Sequence, residues 1–102
     1  MEPYTEELQS LFDRIPRRHS LENVKEINSI ANDYENVLIK IEAISDDHAK
    51  KVAELFSDLD TVRTKIKMST DNKASKKNKD IFFDEASGGL KDSIQVLLDI
   101  LN

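Results

Sequence analysis

The chain has no cysteine and no tryptophan, and its 102 residues include only two prolines and two glycines. Without cysteine there is no disulfide, no thiolate chemistry and no Cys-based zinc site. The shortage of glycine and proline leaves little turn chemistry for a sheet and suits long, surface-rich helices that each bury one stripe. Aromatic residues are scarce. No apolar run approaches membrane-spanning length, and the opening stretch MEPYTEELQS has neither the basic nor the apolar region of a secretory signal. A soluble, intracellular chain is expected, with cytoplasm and nucleus not distinguished and no membrane partner.

Acidic residues outnumber basic ones 20 to 15, for a net charge of -5. That balance argues against bulk binding to nucleic acid or anionic lipid, although a local basic patch stays open. At this length residues 1–102 form a single helical domain at most, with a modest core.

The first element is short. Pro3 suits a first helical position, Tyr4, Leu8, Leu11, Phe12 and Ile15 recur at helical spacing, and Pro16 stops the run, so a helix is predicted over about Pro3 to Arg14. No Pro or Gly then occurs until Gly88. Val24, Ile27, Ala31, Tyr34, Leu38 and Ile41 alternate spacings of three and four, and the beat continues in phase through Val52, Leu55, Leu59, Val62 and Ile66. Ser45 and His48 are the polar residues on this seam. Ile30, Val37 and Ile44 widen it on one side and Phe56 on the other, which suits a bundle better than a narrow two-stranded coiled coil.

Two structures fit this pattern. One is a single helix from about Leu21 to Met68, on the order of 70 Å long, whose seam needs partner chains. The other turns at ISDDH, Ile44 to His48, with Ser45 as N-cap and Asp46 and Asp47 in the first turn, giving an antiparallel hairpin. The turn is favoured, because two consecutive aspartates are poor helix-interior residues.

Periodicity is lost over MSTDNKASKKNKD, and a flexible Lys-rich loop is predicted over about 69–80. Ile81, Phe82 and Phe83 follow. Ser87, Gly88 and Gly89 then interrupt, so that the glycines either cap and restart a helix or let a neighbour approach closely. Leu90, Ile94, Leu97, Leu98 and Leu101 make the most apolar helical face in the chain. The expected architecture is an all-α antiparallel helical bundle: a short N-terminal helix plus three longer helices with coiled-coil-like heptad seams.

Little here points to catalysis. His19 and His48 lie in no recognisable motif. Asp46, Asp47 and His48 are adjacent, but consecutive helical residues diverge, and a capped helix start explains them better than a metal site. The paired Gly88 and Gly89 lack the spacing of a nucleotide loop. No cofactor and no metal is expected, and the chain is read as a non-enzyme. Lys73, Lys76, Lys77 and Lys79 have the minimal spacing of a nuclear-import signal, yet Asp71 and Asp80 dilute them and no aromatic lies among them, which suits a solvated linker better than a nucleic-acid site.

The stretch RRHSLENVKE, Arg17 to Glu26, carries two readings at once. Ser20 is a good N-cap before Leu21 and the seam residue Val24. Arg17 and Arg18 ahead of Ser20, with Leu21 after it, also match what a basophilic kinase accepts, and a phosphate at a helix N-terminus beside two arginines would stabilise the helix.

The function expected is a non-catalytic protein–protein interaction module, a small helical subunit or adaptor of a larger intracellular assembly. Its interaction seam is formed by Val24, Ile27, Tyr34, Leu38, Ile41, Leu55, Leu59, Val62, Ile66, Leu90, Ile94, Leu97 and Leu101, which would pair with a protein partner or in a homo-oligomer. The alternative is a self-contained bundle acting as a monomeric inhibitor; in length and helical architecture the chain is similar to bacteriocin immunity proteins, though no motif selects that family.

Overall fold

In the computed structural model, which describes residues 2–102, four helices follow one another: α1 (Glu2–Arg14), α2 (Leu21–Glu42), α3 (Asp46–Ser69) and α4 (Lys76–Leu101). The chain therefore turns where the two aspartates stand. Ser45 leaves the helical region, its backbone extended at φ -166 and ψ 167, and its side chain accepts from the His48 N–H. Asp46 and Asp47 occupy the first turn of α3, where the helix dipole favours negative charge.

Contacts along the helices set their directions. Lys91 of α4 lies over the ring of Phe12, and Ser87 donates to the carbonyl of Pro16, so α1 and α4 run antiparallel. His19 faces Asp80 while Tyr34 meets Ser93, so α2 runs parallel to α4. Lys65 pairs with Glu85, and a Cβ on Gly89 would lie 3.3 Å from Val62 Cγ2, so α3 opposes α4. The result is an up-down-up-down four-helix bundle in which α3 packs on α2 and α4, α1 packs on both as well, and α2 and α4 lie on the diagonal. Its 22 × 17 Å cross-section is two helices wide each way.

The core is mostly aliphatic, with Tyr34 and Phe83 its largest fully buried side chains. Leu8 and Leu11 of α1 join Ile27, Ile30, Tyr34, Leu38 and Ile41 of α2, Val52, Leu55, Leu59, Val62 and Ile66 of α3, and Phe83, Leu90, Ile94 and Leu97 of α4 in one buried cluster. Three serines are buried with them, and each is hydrogen-bonded: Ser69 to the Ile66 carbonyl, Ser87 to the Pro16 carbonyl, and Ser93 to the Tyr34 hydroxyl. Among the described residues no buried side-chain polar atom lacks a partner. This satisfaction lets hydroxyls stand inside without the penalty of an unpaired polar group.

One sequence expectation is corrected and one open alternative is decided. The loop predicted over about 69–80 spans only 70–75, and Lys76, Lys77 and Lys79 belong to the start of α4. Ser75 caps that helix by accepting from the Asn78 N–H at 3.1 Å, and Asp71 turns the link by accepting from the Lys73 N–H. Hydrophobic period cannot reveal this turn, because it has no apolar residue before Ile81. Of the two roles open to the glycines, restart of a helix or close approach of a neighbour, the second holds, since α4 runs unbroken through Gly88 and Gly89. Gly89 allows α3 to come close at Val62, but a Cβ on Gly88 would meet nothing within 4 Å.

Gly88→Ala should accordingly stabilise the bundle by about 0.5–1 kcal/mol, by removing the entropic cost of a mid-helix glycine. A urea midpoint that stays put or falls would mean that the exposed backbone there has a neighbour outside this bundle.

Candidate functional site

The seam residues lie inside the chain. Ile27, Tyr34, Leu38, Ile41, Leu55, Leu59, Val62, Ile66, Leu90, Ile94 and Leu97 are all buried in the core, and Val24 and Leu101 are half-buried against it. A single chain closes the stripes that a seam shared between chains would leave open, because the turn at Ser45 folds α3 back onto α2 and α4 covers both. The surface available to another molecule is therefore the outside of the bundle.

On that outside, large apolar residues stand singly: Leu21, Ile39, Ile44, Ile81 and Val96. Scattered exposure of this kind is ordinary for a folded surface. Charge is distributed less evenly. The two basic clusters of the sequence, more than fifty positions apart, are brought to one end of the bundle, where the link 15–20 enters α2 and the link 70–75 enters α4. Arg17, Arg18, His19 and Lys76 line an open groove of about 400 Å³ there, with Asp80 and Asp84 as its acidic members. A smaller groove of about 140 Å³ adjoins it, sharing Arg17 and Asp84 and continuing along Gly88 and Lys91.

The link that carries the arginines is held at defined points. Pro16 is latched through its carbonyl to Ser87, at 2.8 Å. The Arg18 carbonyl accepts from the Asn23 side-chain amide at 2.7 Å. The His19 ring meets the edge of Phe83, centroids 5.6 Å apart, and its Nδ1 lies 3.7 Å from Asp80. Arg14, Arg63 and Lys65 are engaged with carboxylates. Among the described residues, Arg17, Arg18, Lys73, Lys76, Lys77 and Lys79 take part in no such pair.

The start of α4 is also electrostatically at odds with its own helix. Whereas α2 and α3 carry Glu22, Asp46 and Asp47 in their first turns, α4 has no acidic residue there and has lysines instead. Cations at the positive end of a helix dipole destabilise it by a few tenths of a kcal/mol each. Within the fold the start of α4 is held by the Ser75 cap instead of by first-turn acids.

Other candidates resolve into structure. Asp46, Asp47 and His48 form a helix start in which Ser45 Oγ lies 2.7 Å from His48 Nδ1. Among the described residues no three His, Cys, Asp or Glu side chains gather to hold a metal ion. A groove of about 370 Å³ between α3 and α4, lined by Asp58, Lys65, Glu85, Asp92 and Val96 among others, is open, and its Lys65–Glu85 pair at 2.8 Å spans the helices. No helix is long and apolar enough to cross a membrane among the described residues.

Sequence reasoning treated the two basic clusters separately. Nothing local could have joined them, because their proximity comes from α2 and α4 starting at the same end of the bundle. No protein-family model, curated protein or solved structure matches the chain.

Proposed function

We propose that this protein is a non-catalytic protein–protein interaction module that folds by itself and engages a partner protein with its outer surface, as an adaptor or an inhibitor does. The observation that supports this reading most directly is the burial of the seam residues within one chain, which leaves surface recognition as the means of association. The basic end offers the most distinctive surface, and its mixed charges, Asp80 and Asp84 among the cations, suit the varied surface of an acidic protein better than the uniform charge of a nucleic-acid backbone.

Light scattering coupled to size exclusion tests the proposal. A compact monomer near 11.7 kDa is expected, with a radius of gyration by X-ray scattering close to the 13.9 Å of the Cα atoms. A dimer, or a species too extended for its mass, would mean that the seams are shared between chains and would restore the reading as a subunit or homo-oligomer.

A further inference from the structure

We propose that Ser20 is a phosphorylation site for a basophilic serine/threonine kinase, presented by the folded protein, and that the phosphate reinforces the start of α2. This inference does not rest on the proposed partner binding, although Arg17 and Arg18 belong to both surfaces. It rests on the joint occurrence of a recognition pattern and of the exposure, in the fold, of the side chains that make it up.

The pattern is Arg17-Arg18-His19-Ser20-Leu21. In the fold these residues stand outside the helices up to Ser20, in the link between α1 and α2. The Ser20 backbone is extended, at φ -158 and ψ 163, between a bend at Arg18 and the first α2 residue, Leu21, so the serine itself stands clear of helical hydrogen bonding on its N-terminal side. Arg17, Arg18 and Ser20 are exposed, and Leu21 is 81% exposed with its apolar side chain unburied. A kinase that recognises basic residues ahead of the serine and an apolar one after it meets each of those side chains on the outside. The anchors of the link, the Pro16 carbonyl and the His19 ring, point inward to Ser87 and Phe83 and leave those groups unobstructed.

The reaction consumes one ATP. Ser20 Oγ attacks the γ-phosphorus, the new Oγ–P bond forms as the bond to the β–γ bridging oxygen breaks, and ADP leaves with that electron pair. The hydroxyl proton passes to the kinase's catalytic carboxylate and on to solvent. Before the reaction Ser20 Oγ accepts from the Asn23 N–H at 3.0 Å, a bond that uses the oxygen as acceptor and leaves the proton available for transfer. After it, up to two negative charges stand at the N-terminus of α2, two and three residues from Arg18 and Arg17, whose guanidinium groups have no carboxylate partner among the described residues.

The test incubates the folded full-length chain with the purified catalytic subunit of a cAMP-dependent protein kinase and ATP, and follows intact mass and fragment masses. One phosphate on Ser20 is expected. None is expected in Ser20→Asn, which keeps a side-chain cap and hence the fold. Labelling should slow at least about tenfold in Arg17→Ala/Arg18→Ala, in line with the loss of charge-assisted contacts to the kinase. The phosphorylated protein should melt about 2–5 °C higher than the unmodified one. The site is overturned by an unlabelled folded chain, by phosphate on another residue, by equal labelling of the double arginine variant, or by labelling of a free 14–24 peptide but not of the folded protein. A lower melting temperature after labelling overturns the reinforcing role.

Discussion

Leu97→Asp is expected to unfold the bundle. Leu97 is fully buried on α4, so the substitution removes the burial of a whole leucine side chain, about 2–5 kcal/mol for truncation alone. It also forces a carboxylate into a core whose buried members, among the described residues, include no Lys, Arg or His. The carboxylate must then stay protonated or draw in water, adding several kcal/mol. A chain of this size has a total stability of about 5–15 kcal/mol, so most helical circular dichroism should be lost at 25 °C in dilute buffer. Val96→Asp provides the comparison: the neighbouring side chain is 47% exposed, and its replacement should shift stability by no more than about 1 kcal/mol. Denaturant titration of both variants measures the contrast. If Leu97→Asp keeps its helix content and changes only the mass in solution, Leu97 faces a second chain and the self-contained reading is wrong.

Alkaline pH should reveal the other deep contact, Tyr34 with Ser93. Their hydroxyl oxygens are 2.7 Å apart in the core, and the phenol is pushed up to about 12, mainly by burial, with the Asp58 charge adding to the rise and the Ser93 bond opposing it. In the unfolded chain a tyrosine titrates near about 10. The folded protein thus holds this proton more tightly than the unfolded one, and the stability linked to it is complete below about pH 10 and declines as the pH rises toward about 12. A shift of this size amounts to about 2–3 kcal/mol over that window. Urea titrations at about pH 8 and about pH 11, midway through the window, should show roughly half of this loss, about 1.4 kcal/mol, in the wild type and not in Tyr34→Phe. At the lower pH, Tyr34→Phe should cost about 1–2 kcal/mol, since Ser93 loses its partner, and Tyr34→Phe/Ser93→Ala should recover most of it. The same alkaline loss in both proteins would assign the effect to other groups.

Helix identity was legible in the chain wherever an apolar stripe accompanied a stop signal. Pro16 ended the first helix, and the stripe through Leu90, Ile94, Leu97 and Leu101 announced the last. The turn at Ser45 was legible as well, because an N-cap serine and two first-turn aspartates are local devices that act within one helical turn. The start of α4 was not. Its first turn is polar on every side, so the Ser75 cap was the only mark of it, and a lysine-rich run reads as solvent whether or not it is helical. Gly88 and Gly89 left two outcomes open, a restart or a close approach: glycine lowers helix propensity by about 1 kcal/mol, which packing of the flanking Phe83, Leu90 and Ile94 outweighs, and Gly89 serves the close approach.

The arrangement of those helices was outside the reach of the sequence. A heptad stripe states that one face seeks apolar contact, and it is equally served by another segment of the same chain or by a second chain, since the hydrophobic effect is non-directional. Only the tertiary structure decided that α2, α3 and α4 satisfy one another, with α1 closing the bundle. The same holds for the specific long-range contacts. Tyr34 and Ser93 are 59 residues apart and Ser87 and Pro16 are 71 apart, and neither pair carries a local signal. Arg17 and Lys76 share a groove only because α2 and α4 run parallel. What the sequence determined by itself was therefore local: helical elements, the caps at Ser20 and Ser45, and the basic-serine pattern at Ser20. What the tertiary structure decided was which faces meet, because that choice depends on the summed packing of distant side chains rather than on any segment alone.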